Sequence, residues 1–305
     1  MIKYALKRFS VAILVALTVS LITFSMIYLS GDPAMALAGE TATQQDIESI
    51  RHTYGFDRPI IVQYGMWLGH ALTGDLGHSN YLKSDVSSVI FERLPVTMIL
   101  GASALSFALL LSIPLGVLAA MRPNTLIDRF ALSLAVVGQA LPSFWFGLMM
   151  IFLFGVSLRW LPITGTASWK NFIMPSVALG YYITPAVMRL TRAGMIEVLS
   201  SDYIRTAKAK GLRPAVVLFK HALRNAIIPV VSLSAVQFGF MLGGSIVIET
   251  IFAINGLGQL AWESILRADL PMMQAIVLVL SCLYIVLTFL ADILNAFLDP
   301  RIRVS

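Results

Sequence analysis

The chain has 305 residues, of which 58% are hydrophobic and only 12% are charged. A soluble domain carries about 25% charged residues, so this composition excludes a soluble globular protein and predicts a polytopic membrane protein. The net charge of +6 would also suit a nucleic-acid-binding protein. Basic residues, however, gather on the cytoplasmic loops of membrane proteins, and we predict no nucleic-acid partner.

The first predicted span covers residues 9–29 and follows three basic residues, Lys3, Lys7 and Arg8. The run is long enough to cross a hydrocarbon core of roughly 30 Å, whereas the apolar part of a signal peptide has about 7–15 residues. We therefore predict an uncleaved helix with a cytoplasmic N-terminus. Together with the loop that follows, it makes up a first unit, residues 1–95.

Residues 30–95 form the one sizeable polar segment, and in it Asp and Glu outnumber Lys and Arg. Translocated loops lack the basic excess of cytoplasmic loops, so we predict that this segment is extracytoplasmic. It begins with Gly-Asp-Pro at residues 31–33, and it carries an amphipathic stretch at residues 46–54 and a turn sequence at residues 74–77.

Five further spans follow by hydropathy and make up a second unit, a five-helix core over residues 96–305. These spans are residues 96–121, 130–158, 172–190, 227–250 and 272–298. Six spans place both termini in the cytoplasm and put 15 of the 22 Lys and Arg residues in cytoplasmic segments. The opposite orientation would violate the positive-inside rule. The sequence thus predicts an all-α, six-span protein of the inner (cytoplasmic) membrane.

The third, fourth and fifth spans are rich in Pro, Gly and polar residues, which is unusual for helices that only anchor a protein. Such residues also allow tight helix packing, and for any one residue taken alone tight packing remains the alternative to a role in a passage. Backbone groups freed in lipid also need a partner in the protein or in cavity water. For the set as a whole we predict a polar passage, lined by Gln139, Ser143, Tyr182, Ser234, Gln237 and Ser245.

Enzymatic alternatives find little support in the sequence. A nucleophilic serine at Ser245 would need an activating base, yet the four histidines, His52, His70, His78 and His221, all lie outside the predicted spans. The ligand clusters of a metal site and the phosphate-binding P-loop are both missing. We predict a transport subunit that is not an enzyme and binds no cofactor, so that any ATP is hydrolysed by another chain.

Few ionisable residues fall within the predicted spans. Asp292 lies near the inner end of the sixth span, and we predict that it pairs with Arg189 or Arg192 as a structural clamp. Glu249, followed by residues 255–258, either shapes the outer mouth of a passage or belongs to a turn that caps a helix. No series of carboxylates crosses the bilayer, which disfavours the alternative of a stand-alone channel or proton-coupled carrier.

A short basic helix is predicted between the fourth and fifth spans, within the cytoplasmic loop 191–226. Residues 200–202 offer N-cap oxygens, Gly211 suits a left-handed C-terminal cap, and Pro214 stops continuation. Such a defined helix predicts a specific contact with a protein partner, and the anionic lipids of the inner leaflet are the alternative. Leu199, Tyr203 and Ala207 are four positions apart and therefore share one face of this helix. The small residues Ala207 and Gly211 leave room there for another surface to approach.

Two short motifs in this loop resemble those of a known protein family. Residues 205–211 read Arg-Thr-Ala-Lys-Ala-Lys-Gly and are followed by His-Ala-Leu at residues 221–223. The combination resembles the EAA loop of ABC importer permeases. The whole chain is similar to their peptide/nickel family, and above all to dipeptide, oligopeptide and glutathione permeases. Stretches that carry this similarity are residues 202–211, 224–226 with Pro229, 249–258, 299–301, 31–33 and 74–77.

The resemblance implies a type I ABC importer permease that translocates peptides, with nickel or another small solute as the alternative cargo. It implies a second homologous permease, two ABC ATPase subunits and an extracytoplasmic substrate-binding protein as partners, within membrane lipid. It also implies that the EAA loop forms a coupling helix seated in a cleft of the ATPase. The residues carried over to this role are Asp202, Tyr203, Arg205, Thr206, Ala207, Lys208 and Gly211.

Overall fold

The computed structural model describes residues 2–29, 32–38, 42–53 and 55–298. Over these ranges the secondary structure is helical, apart from one isolated β-bridge between His78 and Asp85, so the all-α prediction is confirmed there. Gly31, the 299–301 motif and the predicted cytoplasmic C-terminus lie outside the described residues.

The N-terminal part consists of one long helix and three short ones. These are α1 (Ile2–Leu29), α2 (Pro33–Ala38), α3 (Gln44–Thr53) and α4 (Ile60–Leu72). The predicted amphipathic stretch falls in α3, where only Ile47 is buried. The predicted turn at residues 74–77 is present, and both of its glycines adopt positive φ, 88° at Gly74 and 89° at Gly77.

Within the described residues, three stretches are long and apolar enough to cross a membrane: Ala5–Ser25 in α1, Val86–Met121 and Leu270–Ala296. The second forms α5 (Val86–Met121), and the third lies in the last described helix, α16. A fourth candidate is the pair Pro214–Ala226 and Ile228–Gly244, which is bent by 51°. The three unbroken stretches overlap the first, second and sixth predicted spans.

The third and fourth predicted spans are broken helices. Residues 130–158 comprise α6 (Leu126–Ala140), α7 (Ser143–Met150) and a π-helical turn, Ile151–Ser157. The break occurs at Leu141-Pro142, because proline has no N–H and forces the preceding residue out of helical geometry. Residues 172–190 likewise divide into α8 (Ile173–Tyr181) and α9 (Thr184–Leu199), with Pro185 in the first turn of α9.

The remaining helices follow the predicted cytoplasmic loop and the fifth span. They are α10 (Asp202–Ala209), α11 (Pro214–Val216), α12 (Arg224–Ala226), α13 (Ile228–Gly244), α14 (Ile246–Ile251), α15 (Leu257–Leu266) and α16 (Leu270–Leu298). A π-helical turn, Val217–Leu223, joins α11 to α12. The fifth predicted span, residues 227–250, ends in the separate helix α14 because the chain turns at Ser245.

Helix α5 is the centre of the packing and contacts α6, α8, α9, α13, α15 and α16. Two glycines let its neighbours approach closely. A Cβ atom at Gly180 would overlap the carbonyl oxygen of Ala104, and one at Gly116 would lie 2.8 Å from the carbonyl oxygen of Met188. Small residues at such crossings allow helices in lipid to gain van der Waals contact. The main core therefore lies between α5, α8, α9 and α13.

Candidate functional site

The predicted basic helix exists as α10 (Asp202–Ala209), with Ser201 at its N-cap. The Ser201 hydroxyl donates to the carbonyl of Val198, at 2.6 Å, so it does not cap α10 as the sequence predicted. At the other end Gly211 has φ +73°, and its N–H donates to Lys208 O at 3.0 Å. The left-handed C-terminal cap is therefore confirmed.

The buried face of α10 differs from the predicted one. Ile204 and Ala207 are buried, whereas Tyr203 is 44% exposed. The Tyr203 hydroxyl accepts a hydrogen bond from the Asn225 side chain at 2.8 Å, which ties α10 to α12. Ile204 and Ala207 lie three positions apart on one face of α10, and this face packs against the same chain. Ala207 therefore offers no room to another protein. The residues packed against this face are Val117, Ala120, Met195, Val217, Ala222 and Ala226.

The opposite face of α10 is exposed and polar. Arg205 and Asp202 form an ion pair at 3.2 Å, with both side chains largely in solvent. Open space surrounds the position where Gly211 would carry a Cβ atom. Exposed cations are frequent in α10 and in the residues that follow it, so this part of the chain suits an acidic partner surface. These cations are Arg205, Lys208, Lys210, Arg213, Lys220 and Arg224.

Helix α9 leads into α10 through Ser200-Ser201 and is bound to α6 by a buried ion pair. The Arg192 guanidinium donates two hydrogen bonds, each of 2.7 Å, to the Asp128 carboxylate. The backbone N–H of Asn124 donates a third, at 2.8 Å. The Asp128 side chain is only 3% exposed. Its hydrogen bonds from Arg192 hold the pKa of Asp128 below its ordinary value of 3.8, despite the opposing effect of burial.

This pairing corrects the predicted clamp. Arg192 binds Asp128 rather than Asp292, and Asp292 instead lies 3.2 Å from Arg8. Arg189, the other predicted partner, is exposed. Asp128 occupies the first turn of α6, and its role depends on α6 lying beside α9, which the sequence of neither helix reveals. The sequence feature that could have pointed to Asp128 was its position as an acidic residue next to the third predicted span.

Glu249 is another buried carboxylate. It accepts hydrogen bonds from the hydroxyl groups of Thr97 and Ser245, at 2.9 and 2.8 Å, and from the backbone N–H of Gln259, at 3.0 Å. Gln259 lies in the first turn of α15, where backbone N–H groups lack helical acceptors. Of the two interpretations left open, the geometry supports the cap of a helix.

Two glycines leave the space that the Glu249 carboxylate occupies. A Cβ atom at Gly256 would lie 2.5 Å from a Glu249 oxygen, and one at Gly258 would lie 2.9 Å from it. The Thr97 hydroxyl also accepts the N–H of Leu257 at 2.8 Å. This network therefore joins α5, α14 and α15. Thr97 had no signal in the sequence.

The six predicted passage residues lie in different environments. Gln139 and Tyr182 are exposed, and each lies at or beside a helix break; Ser143 and Gln237 are half-buried. Ser234 and Ser245 are buried, and their hydroxyl groups bind within the chain, to Val230 O at 2.6 Å and to Glu249. A side chain that is closed off in this way does not line a passage, so four candidates remain.

The described residues contain no group of three or more His, Cys, Asp and Glu side chains that could hold a metal ion.

Both the N-terminal part of the chain and the part that follows it match known transport families. The profile described as "Binding-protein-dependent transport system inner membrane component" matches residues 112–304. A second family, the N-terminal part of the membrane component of such transport systems, matches residues 1–101.

Curated relatives cover almost the whole chain. The "Glutathione transport system permease protein GsiC" of Salmonella paratyphi A is 40% identical over 304 residues, which is 99% of each chain. The GsiC protein of Escherichia coli strain K12 is 39% identical over the same length and coverage.

Solved structures share the fold at low sequence identity. The MetNI methionine ABC transporter in an inward-facing conformation matches with a TM-score of 0.57 and 19% identity, over 69% of this chain and 96% of that one. An amino acid ABC transporter matches with a TM-score of 0.50 and 19% identity, over 70% and 94%. The predicted resemblance is confirmed: the chain belongs to the family of inner-membrane permease components of binding-protein-dependent ABC transport systems.

Proposed function

We propose that this chain is one of two permease subunits of an ATP-driven importer whose cargo is a short peptide of the glutathione class. The observation that carries the proposal is 40% identity to a glutathione permease over 99% of both chains. Nickel or another small solute is the alternative cargo. The geometry supports the permease role through α10, a fixed helix whose outer face is free to bind another protein.

The proposed topology has six crossings with both termini in the cytoplasm. The crossings are α1, α5, α6 with α7, α8 with α9, α13 and α16. Breaks at Leu141-Pro142 and at Tyr182-Ile183 are compatible with crossing, because neighbouring helices can satisfy the freed backbone groups. The excess of Lys and Arg on the α10 side supports this orientation.

The ATPase partners bind the exposed face of α10, and ATP binding displaces it. Because Ile204 and Ala207 anchor α10 to the inner ends of α5 and α9, the displacement reaches the membrane helices. The pair of Arg192 and Asp128 carries it on to α6, which holds the passage candidate Gln139 next to a helix break. The ATPase can shift the permease only if it binds the two conformations with different affinity.

The first experiment is purification of the tagged chain in mild detergent, with identification of its partners by mass spectrometry. We expect a second permease and two ATPase subunits, and ATP-dependent glutathione uptake once the complex and its binding protein are reconstituted in proteoliposomes. A complex whose ATPase lacks the P-loop lysine is the control, and it should not transport. Uptake by this chain alone without ATP would refute the proposal in favour of a channel or carrier.

A further inference from the structure

Helix α4 is apolar on the side that faces away from the protein. Its exposed aliphatic side chains include Ile61 and Leu72, each 80% exposed, together with Ile60 and Val62. Between Arg58 and Asp75 the sequence contains no charged residue. A helix of 13 residues with such a surface would be costly to place in water, because exposed aliphatic side chains favour an apolar environment.

The inner side of α4 binds α1. The Tyr64 hydroxyl lies 2.7 Å from the Ser20 hydroxyl. The rings of Tyr64 and Trp67 pack against Phe24, with centroids 5.5 and 5.8 Å away. On this part of α1, Ser20, Thr23 and Phe24 are buried, whereas Leu21 and Ile22 are exposed. The contact with α1 therefore sets the position of α4 along that helix.

The contact lies within the apolar stretch of α1, Ala5–Ser25. Ser20 is five residues before the end of that stretch, which corresponds to about 8 Å of helix at a rise of about 1.5 Å per residue. The contact therefore places α4 against the membrane-spanning part of α1, in the half of that stretch nearer residues 32–95.

We infer that α4 is an interfacial helix, which lies in the leaflet on the side of residues 32–95 with its aliphatic face against the acyl chains. A lipid surface is the occupant because this face continues the exposed apolar surface of α1 at the same height, where Leu21 is 50% and Ile22 58% exposed. Tyr64 and Trp67 are residues that favour such interfaces. Amphipathic interfacial helices are commonly buried about 5–10 Å into this boundary.

Helix α3 lies in the same segment and provides the contrast. Its exposed positions carry Gln44, Gln45, Asp46, Glu48 and Ser49, and only Ile47 is buried. The Thr43 hydroxyl donates a 2.7 Å hydrogen bond to Asp46 at the start of α3. This helix has the surface of an element in water. The inference thus assigns two successive helices of one loop to two different solvents.

Site-directed fluorescence quenching tests the inference. The exposed Cys282 is first replaced by serine. Single cysteines are then introduced as Ile61→Cys and Leu72→Cys on α4, with Gln45→Cys and Glu48→Cys on α3 as matched controls. Each full-length variant is labelled with bimane and reconstituted in phosphatidylcholine vesicles with or without brominated acyl chains. We expect bromine to quench the α4 labels at least about threefold more strongly than the α3 labels.

Equal, weak quenching at all four positions would overturn the inference. The measurement is repeated with the assembled transporter and its binding protein. Quenching at Ile61→Cys that is lost on assembly would also overturn it, since the face would then bind a protein. Circular dichroism and gel filtration exclude variants that fail to fold. The lipid contact is tested without any transport assay, so its outcome is independent of the proposed cargo.

Discussion

Two buried carboxylates, Asp128 and Glu249, are stabilised in different ways. Asp128 receives two hydrogen bonds from a guanidinium group, so its charge is balanced by Arg192. Glu249 receives its hydrogen bonds from two hydroxyl groups and from the backbone. A buried polar group is costly unless it is hydrogen-bonded, and removing one partner leaves the other unsatisfied. Each carboxylate therefore holds together helices that are distant in the sequence.

Replacing Asp128 by asparagine should destabilise the protein. Arg192 would lose its charged partner in a largely buried site, and we expect a loss of about 2 kcal/mol in the free energy of unfolding. Thermal unfolding in detergent measures the effect. Asp202→Asn is the control, because the Asp202 side chain is 93% exposed. Equal melting temperatures for the two variants would contradict this role of Asp128.

The Asp128 pair should respond to pH only in strong acid. Since Arg192 lowers the pKa of Asp128 in the folded state below its ordinary value of 3.8, folding favours the ionised form. The resulting stability is complete above the ordinary pKa and is lost as the pH falls through the folded-state pKa. We expect the stability difference between the wild type and Asp128→Asn to stay constant from about pH 8 to 5 and to shrink below about pH 4. A difference that disappears near neutral pH would contradict this assignment.

Glu249→Gln should loosen α15. The glutamine amide group would point an N–H toward one of the donors around Glu249, and Gly256 leaves no space for rearrangement. We expect a loss of about 1–3 kcal/mol and faster hydrogen exchange of the α15 backbone, read by mass spectrometry. Glu263→Gln, at an exposed position on α15, is the control and should exchange like the wild type. Unchanged exchange in Glu249→Gln would rule out the helix-cap role.

At the scale of elements, α10 has two faces with separate tasks. Ile204 and Ala207 fix it to the protein, while Arg205 and Lys208 remain exposed. Because α9 enters α10 directly, the helix lies at the end of a packed element rather than in a free loop. A helix held in this way can pass on a force applied at its exposed face.

Two alanine-to-tryptophan changes on α10 separate these tasks. Ala207→Trp should displace α10 from its own core and lower the melting temperature, because overpacking costs about 1–3 kcal/mol. Ala209→Trp, at an exposed position two residues on, should leave the melting temperature unchanged and weaken copurification of the ATPase. If Ala209→Trp retains the ATPase and full transport, the exposed face of α10 is not the docking surface.

At the scale of the whole molecule, one surface around α10 concentrates positive charge. Six exposed cations lie between residues 205 and 224, and Asp202 is the only acidic residue from 201 to 226. The polar segment on the other side of α1 and α5 has an acidic excess. This asymmetry agrees with the proposed orientation of the chain in the membrane, and it favours an acidic partner at α10.

Charge reversal tests the acidic partner. We expect the double variant Lys208→Glu and Lys210→Glu to bind the ATPase at least about tenfold more weakly at low salt. The deficit should narrow as salt increases, because exposed charges are screened within about 10 Å at 0.1 M ionic strength. Binding is measured by surface plasmon resonance in detergent. Lys83→Glu and Lys170→Glu, on the opposite side in the proposed topology, should bind normally. A deficit that does not depend on salt would argue against electrostatic recognition.

The sequence by itself determined the properties that depend on composition and on near neighbours. These are the membrane class, the unbroken helices α1, α5 and α16, and the basic helix α10 with its left-handed cap at Gly211. Hydropathy over a span and the chemistry of a helix end are local, so residues within about 20 positions contain the necessary information. The family resemblance also followed from short motifs.

Only the tertiary structure decided which distant residues meet. Arg192 is 64 positions from Asp128, and Thr97 is 152 positions from Glu249. Each contact exists because α9 lies beside α6, or α5 beside α14 and α15, and helix packing depends on many side chains at once. The burial of Ala207, the enclosure of Ser245 and the lipid-facing side of α4 have the same origin: a neighbouring helix determines which face is covered.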